Sequence, residues 1–166
     1  MQLHRSWIKK FYMKSGTYTQ IYIQLVFAVK NREALIIPPI QDEVFKFIAG
    51  TINSMEHKSL AVNGMVDHIH CFLGLHPMQS ISELVKEVKR SSNNFINEHK
   101  WLPGKFEWQT GYGGFSYSRS QIDTVINYIK NQKYHHKRQT FKDEYLNFLI
   151  DFQVEYNPDF IFNFFD

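Results

Sequence analysis

The chain has 166 residues, 43% of them hydrophobic and 21% charged, which predicts one compact domain and excludes a disordered chain. Its one cysteine, Cys71, excludes a disulfide framework, and no apolar stretch has the length of a signal peptide or membrane span, so we expect a cytoplasmic protein without a membrane partner. The net charge of +3 and the aromatic content of 16% are compatible with a nucleic-acid partner, although a Phe-rich core explains most of the aromatic residues better.

Periodicity predicts four elements in the first half of the chain: a strand at 18–29, a helix at 40–56, and strands at 59–62 and 66–75. The helix follows Pro38-Pro39, a pair that stops a strand and permits a helix to start. Asn63-Gly64 is a strong hairpin-turn pair, so we expect it to connect the two later strands.

Two capping-box patterns predict the helices of the second half, Ser80 with Glu83 and Ser120 with Asp123. A stretch rich in glycine and aromatic residues lies between these helices and predicts a short strand near 114–118. The inward-facing stripes of the two helices are Ile81, Leu84, Val85, Val88, Phe95 and Ile96, and then Ile122, Val125, Ile126 and Ile129.

The element order β-α-β-β-α-β-α predicts an α+β fold. Its first six elements match a split βαβ sandwich of the ferredoxin or RNA-recognition type, with helices on one face of an antiparallel sheet and a further C-terminal helix that carries a tyrosine. We expect an N-terminal extension at 1–16, a domain at 17–140, and a tail at 141–166 that packs on the domain.

Two histidines, His68 and His70, alternate with apolar residues in one predicted strand. Strand side chains alternate between faces, so both imidazoles point to the face opposite Ile69 and Cys71. Two parallel imidazoles can hold one divalent ion or clamp a phosphate. A His-x-His pair by itself is a weak signal, because histidines on a strand are usually polar residues on its exposed face.

Tyr128, Gln132 and His135 follow one another at helical spacing, which places them on one strip beside the apolar stripe. A tyrosine in this position can present its hydroxyl to a ligand, and the amide oxygen of Gln132 can join a metal one turn away. The alternative is a half-buried tyrosine on a helix that ends in solvated basic residues. The histidine pair favours the functional interpretation, because the parts together complete a mechanism.

Four blocks of sequence resemble the single-tyrosine HUH transposases of the insertion-sequence-200-like group, in which U is a hydrophobic residue. The resemblance runs from about Thr17 to Phe160, and His68-Ile69-His70 corresponds to the HUH motif. The order and spacing of the blocks make it specific. They are YTQIYIQLVFAVKNRE, VDHIHCFLGL, SISELVKEVKRSSNNFIN, and FEWQTGYGGFSYS followed by YIKNQKYHH.

The resemblance implies a transposase that recognises hairpins in single-stranded DNA at the ends of a mobile element. It implies that His68, His70 and Gln132 bind Mg²⁺ or Mn²⁺ and that Tyr128 is the nucleophile. The product of its attack is a 5′-phosphotyrosine, which a 3′-hydroxyl can later reverse without ATP. Members of the group are typically homodimers, in which the tyrosine helix of one subunit can complete the active site of the other.

Two positions depart from the family pattern: Val66 replaces a frequent proline, and Gln24 replaces a frequent histidine in the first strand. We expect a different supporting contact at Gln24 and no change in the catalytic assignment. No clear general base is visible; Asp67 and His135 are weak candidates, and alternation with His68 predicts that Asp67 points to the other sheet face.

Basic residues near the first strand, on the second helix and after the tyrosine form a candidate DNA interface, although any one of them is as readily a solvated surface residue. Rings such as Trp108, Tyr112 and Phe115 are candidates for base stacking, with core packing as the alternative. The candidate DNA contacts are Lys30, Arg32, Lys86, Lys89, Arg90, His135 and His136.

Three other functions remain open from the residues themselves. A metal hydrolase would activate water with the histidine pair, but it needs more ligands, and no carboxylate has a convincing spacing. An RNA-binding module of the same fold would stack bases on an exposed sheet face, where Phe72 is the one aromatic residue beside the histidines. A domesticated, non-catalytic protein would only bind single-stranded nucleic acid.

Overall fold

The computed structural model describes residues 16–162. The N-terminal extension predicted at 1–16 therefore lies outside the described residues, apart from Gly16. The predicted order β-α-β-β-α-β-α is confirmed, with two further helices after it. The elements are β1 Tyr22–Ala28, α1 Pro38–Ser54, β2 Lys58–Gly64, β3 His68–Gly74, α2 Ile81–Glu98, β4 Gly113–Tyr117, α3 Ile122–Lys130, α4 Gln132–His135 and α5 Phe141–Asp151.

The four strands form one antiparallel sheet in the order β2-β3-β1-β4, so the predicted α+β fold is confirmed. The two central strands are β1 and β3, and Val26 of β1 lies between His70 of β3 and Gly113 of β4. A central strand is the most rigid place in a sheet, because both of its edges are hydrogen-bonded. The histidine pair is therefore built on a rigid element.

One face of the sheet, which we call the apolar face, packs against α1 and α2. The inward residues of β3 on this face are Ile69, Cys71 and Leu73, all fully buried. The predicted stripe of α2 is confirmed, since Leu84, Val85, Val88 and Ile96 are buried in the same cluster and Ile81 and Phe95 pack against it.

The opposite face, which we call the histidine face, is covered by α3 and α5. Phe72 packs against Val125 and Ile129 of α3, and the predicted inward stripe of that helix is confirmed. Alongside, α5 packs on β1 and β4 through a second cluster, whose buried members are Val26, Ala28, Phe115, Phe141, Tyr145, Leu149 and Phe162. The sheet is thus covered on both faces.

The predicted turn at Asn63-Gly64 is wrong, because both residues belong to β2 and the connection to β3 comes after them. A Cβ atom at position 64 would lie 2.2 Å from the carbonyl oxygen of His68, so glycine permits the two strands to approach each other closely. Asn63 donates from its side chain to the carbonyls of Ile129 and Lys130 at the end of α3. The pair Asn63-Gly64 therefore makes tertiary contacts and does not form a turn.

The two predicted capping boxes differ in outcome. Ser80 and Glu83 form both reciprocal hydrogen bonds at the start of α2, so this prediction is confirmed. The box before α3 is formed instead by Ser118 and Gln121, two residues earlier than predicted, and a short 3₁₀ turn leads into the helix. None of the helices within residues 16–162 is long and apolar enough to cross a membrane.

Candidate functional site

His68 and His70 share the histidine face, as strand alternation predicts, and their ring centroids lie 5.3 Å apart. The alternative of ordinary polar histidines requires this face to be exposed, but the two side chains are 1% and 0% exposed. The cause is α5, since the Phe141 ring stacks on His68 with 3.9 Å between centroids. Burial lowers the pKa of His68 to about 4, so its ring is neutral at neutral pH and free to act as a ligand.

Glu144 of α5 lies at the centre of this face. Its Oε2 atom is 3.5 Å from Nε2 of His70 and 3.1 Å from Nε2 of His136. Ligand atoms of His68, His70, His136 and Glu144 all lie within 4.8 Å of one another. The expectation that no carboxylate joins the histidines is therefore wrong. The available signal was an acidic residue inside the buried stripe of α5, which also contains Phe141, Tyr145 and Leu149.

Tyr128 of α3 reaches the same carboxylate from the other side. Its hydroxyl donates a hydrogen bond to Oε1 of Glu144 and lies 3.4 Å from Nε2 of His135. Burial raises the pKa of the Tyr128 hydroxyl, and the negative charge of Glu144 raises it further, so the phenol holds its proton at neutral pH. Although burial raises the pKa of Glu144, the contacts of its carboxylate with His70 and His136 hold it well below its usual range.

Gln132 is fully buried between these groups. The predicted single strip from Tyr128 to His135 is divided by a break at Asn131, where α3 ends and α4 begins. Oε1 of Gln132 lies 3.0 Å from Nε2 of His136, and its Nε2 donates to Glu144 over 3.1 Å. The structure thus brings Gln132 to the histidine pair together with two residues that the sequence did not assign to a metal.

Asp67 supports His68, and the prediction that it points to the other sheet face is wrong. Its carboxylate accepts from Nδ1 of His68 over 2.7 Å, and Arg32 donates to the same carboxylate. Alternation fails here because β3 begins at His68, so Asp67 is outside the strand. Although burial raises the pKa of Asp67, hydrogen bonds from His68 and Arg32 bring it down to about 2.

Gln24 supports His70, which is the different contact expected at this position. Its Nε2 atom lies 2.9 Å from Nδ1 of His70, and the Tyr117 hydroxyl donates to its Oε1 over 2.9 Å. Amide nitrogen and oxygen exchange places when the side chain turns by 180°, so Gln24 can serve either tautomer of His70. Both histidines of the pair therefore have a partner on their outer nitrogen, as metal-binding histidines usually do.

Two inner atoms of the site make no hydrogen bond in the part of the chain that the structure describes. Within residues 16–162, Nε2 of His70 and Oε2 of Glu144 are buried and make no hydrogen bond. Buried polar atoms without a partner are rare because each costs about 1–3 kcal/mol. A divalent cation between imidazole nitrogens and a carboxylate would satisfy both atoms, so the residues present fit the metal that the resemblance implies.

The candidate DNA contacts divide among three places. Lys30, Lys86, Lys89 and Arg90 line one open groove of about 1080 Å³, together with Trp108 and Tyr112. Arg32 instead binds Asp67, His136 faces Glu144, and His135 lies beside Tyr128. Of the three rings proposed for base stacking, Phe115 is 2% exposed and belongs to the core.

Three of the four groove cations, Lys30, Lys89 and Arg90, have protein partners. Lys30 pairs with Glu107, and Arg90 pairs with Glu87 over 2.7 Å. Lys89 donates to the carbonyls of Gln109 and Gly111, and burial lowers its pKa to about 8.

Tyr128 also lines a second, smaller pocket that is open to solvent. This pocket has a volume of about 370 Å³, and its wall includes His135, Arg138 and Tyr134, of which Tyr134 is 59% exposed. A nucleic-acid backbone can therefore approach Tyr128 from this side although the histidine pair is buried.

The RNA-binding alternative requires an open sheet face with exposed aromatic residues. Phe72 is fully buried under α3, and α5 covers the rest of the histidine face. The structure contradicts this alternative, because the surface on which bases would stack is not accessible.

Comparisons relate the chain to known proteins. The sequence model of the family described as transposase IS200-like matches residues 17–132. The chain is similar to the structure of a candidate transposase from Deinococcus radiodurans R1, with 22% identity and a TM-score of 0.57 over 72% of this chain and 96% of that one. It is also similar to the REP-associated tyrosine transposase bound to a REP hairpin, with 15% identity and a TM-score of 0.55 over 72% of this chain and 71% of that one. No curated protein sequence matches.

Proposed function

The chain belongs to the IS200-like transposase family, as its sequence motifs predicted, and on this premise we propose that it cuts and rejoins single-stranded DNA through Tyr128. The reaction would produce a 5′-phosphotyrosine and would require a divalent metal, Mg²⁺ or Mn²⁺. The observation that supports it best is that Tyr128 and the His68–His70 pair, far apart in sequence, meet at the two oxygens of Glu144.

His68 and His70 would hold the metal, with Gln132 beside them as the resemblance implies. When bound, such an ion polarises a non-bridging oxygen of the scissile phosphate. The protein prepares the site by holding the outer nitrogens of both rings with Asp67 and Gln24. These contacts orient the inner nitrogens before DNA arrives, so that no free energy is lost in ordering them during the reaction.

Tyr128 would attack phosphorus in line with the leaving group. A bond forms between the phenolic oxygen and phosphorus, the bond to the 3′ oxygen breaks, and that oxygen takes up a proton from water and leaves as a hydroxyl. The acceptor nearest to the phenolic proton is Oε1 of Glu144, which fills the place of the missing general base. Because the phosphodiester energy is conserved in the phosphotyrosine, a second 3′-hydroxyl can reverse the step.

The substrate we propose is unpaired DNA next to a hairpin. One structurally similar transposase is bound to a REP hairpin. In this chain, the pocket of Tyr128 offers Arg138 for a phosphate and the exposed ring of Tyr134 for a base. The groove lined by Lys86 and Arg90 is a candidate surface for the hairpin stem.

Tyr128 meets the histidines of its own chain, which favours a tyrosine that acts in cis. The homodimer implied by the family resemblance stays a prediction, and this geometry does not require subunits to exchange their tyrosine helices.

The test uses a hairpin oligonucleotide labelled at its 3′ end, because the downstream strand stays on the enzyme. We expect a protein–DNA adduct that resists denaturation, depends on Mg²⁺ or Mn²⁺, and disappears in Tyr128→Phe. Tyr134→Phe is the matched control, since this tyrosine lines the same pocket and should leave the adduct intact. Equal adduct from wild type and Tyr128→Phe would contradict the proposal, and so would equal cutting of duplex DNA.

The same experiment separates the two remaining alternatives. A metal hydrolase would release a free 5′-phosphate without any adduct, and Tyr128→Phe would still cut. A protein that only binds nucleic acid would shift the oligonucleotide in a native gel and leave it uncut.

A further inference from the structure

We propose that His136 and Glu144 are metal ligands alongside His68 and His70, and that this set of three imidazoles and one carboxylate prefers Mn²⁺ to Mg²⁺. The inference rests on the proposed function in that the ion serves the same site. It goes beyond the ligands that the family resemblance implies, which are His68, His70 and Gln132, and both additional ligands lie after residue 132, where the match to the family's sequence model ends.

The first support is that the ligand atoms of the proposed residues converge on one place. Nε2 of His136 lies 3.1 Å from Nε2 of His68, 3.1 Å from Oε2 of Glu144, and 3.0 Å from Oε1 of Gln132. The ligand atoms of the four proposed residues lie within 4.8 Å of one another. Ligands bound at about 2.1 Å to one ion lie up to about 4.2 Å apart, so a small contraction of the set completes a site.

The second support is the direction in which the ring nitrogens of His68 and His136 point. Nδ1 of His68 faces the Asp67 carboxylate at 2.7 Å, and Nδ1 of His136 faces the Gln139 carbonyl at 3.1 Å. Both partners are acceptors, so each Nδ1 donates outward and each Nε2 points to the centre of the site. Glu144 and Gln132 add oxygen lone pairs there. A divalent cation placed among these nitrogen and oxygen atoms could be bound by several of them at once.

The third support is the burial of the Glu144 carboxylate. Glu144 is 3% exposed, and the ion pairs that surround it involve histidines: His68, His70, His135 and His136. Its Oε2 and Nε2 of His70 make no hydrogen bond within the described residues. A buried carboxylate is costly unless a positive charge accompanies it, and a divalent cation among these ligand atoms would supply that charge.

The ligand set determines the class of ion. Imidazole nitrogens suit transition metals, whereas Mg²⁺ requires oxygen ligands and retains much of its water. Three histidines with one carboxylate therefore favour Mn²⁺ over Mg²⁺.

The experiment measures metal binding and not activity. Full-length protein is titrated with Mn²⁺ by calorimetry and by the loss of the free-ion electron paramagnetic resonance signal. We expect one bound Mn²⁺ in the wild type, and affinity lower by about 10- to 100-fold or more in Glu144→Gln and in His136→Asn. The matched controls Glu155→Gln and His99→Asn, which alter exposed residues away from the site, should bind as the wild type does. Competing Mg²⁺ should displace Mn²⁺ only in large excess.

Circular dichroism of the metal-free variants establishes that each is folded. Glu144 lies in α5 and His136 directly after α4, so the two substitutions test the site independently. Wild-type affinity in both Glu144→Gln and His136→Asn, with loss in His70→Asn, would show that these two residues are not ligands. Displacement of Mn²⁺ by an equal concentration of Mg²⁺ would overturn the metal preference.

The inference and the proposed function can fail separately. If the variants bind Mn²⁺ normally while the wild type still forms the Tyr128 adduct, the additional ligands are wrong and the function stands. If the variants lose Mn²⁺ while the wild type forms no adduct, the metal site stands and the function is wrong.

Discussion

The two faces of the sheet are built from the same strands and differ in every other respect. On the apolar face, β3 presents Ile69, Cys71 and Leu73 to α1 and α2. On the histidine face, the alternate residues are His68, His70 and Phe72, covered by α3 and α5. Within residues 16–162, five of the eight buried polar or charged side chains lie on this second face, namely Gln24, His68, His70, Gln132 and Glu144.

This difference indicates that the apolar face stabilises the fold and that the histidine face carries the chemistry. The free energy gained by burying apolar surface does not depend on the direction of the contacts. Buried polar atoms, in contrast, stabilise the fold only if each has a hydrogen-bond partner. Within the described part of the chain, Nε2 of His70 and Oε2 of Glu144 are buried without a hydrogen bond, and apolar burial on the other face offsets this cost. Substitutions on the apolar face should therefore change stability, and substitutions on the histidine face should change chemistry.

The largest expected effect is on chemistry, at His70. Loss of one group that stabilises developing charge typically lowers a rate by about 100- to 1000-fold, so His70→Ala should reduce adduct formation with hairpin DNA by at least that factor. Its neighbour Ile69 points to the apolar face and is the matched control. Adduct formation is measured at low temperature and corrected for the fraction of folded protein. An equal loss of adduct in Ile69→Ala would contradict the different roles of the two faces.

For the free energy of unfolding, the order of the two substitutions should be reversed, with the larger loss in Ile69→Ala. Ile69 is fully buried, and truncation of a buried isoleucine to alanine costs about 2–5 kcal/mol through lost burial and a cavity. His70→Ala should cost less, because it also removes an unpartnered buried nitrogen. Urea denaturation of the metal-free proteins measures both free energies of unfolding, and a larger loss in His70→Ala would make the histidine face part of the stabilising core.

A smaller effect is expected from the support of His68. Asp67→Ala removes the acceptor that orients the ring, and loss of such a partner typically lowers metal affinity or activity by about 10- to 100-fold. Asp42→Ala alters an exposed aspartate of α1 and is the control. Unchanged Mn²⁺ affinity in Asp67→Ala would mean that packing under Phe141, and not this hydrogen bond, holds the ring.

The smallest effect is a pH dependence of DNA binding in the groove. Burial lowers the pKa of Lys89 to about 8, so the amine is charged at pH 7 and loses its charge as the pH rises toward 9. The affinity for hairpin DNA should then fall by a few-fold over this interval, since one cation near the phosphates is lost. Lys89→Arg should remove the dependence, because arginine stays charged.

Fluorescence anisotropy at constant ionic strength measures this binding. Lys86→Arg, on the same helix and groove, should leave the pH dependence as it is in the wild type. A flat profile in the wild type would place the DNA stem away from Lys89.

Local patterns predicted much of this protein. The alternation around His68 and His70, the box of Ser80 and Glu83, and the stripe of α2 are confirmed because a few neighbouring residues determine each of them. The pair Asn63-Gly64 shows the limit. Its turn propensity was overridden by contacts that lie outside the local sequence, the close approach to His68 and the hydrogen bonds to the end of α3.

By itself, the sequence determined the order of the elements, the face to which each β3 residue points, and the family to which the chain belongs. Only the tertiary structure decided what covers the histidine face, because α5 meets β3 across a large separation along the chain and no local period encodes that pairing. The same packing buries His68 and His70, places Glu144 between them and Tyr128, and directs His136 to the same centre. A carboxylate in an amphipathic helix acquires its role from the groups that surround it, and those groups come together only on folding.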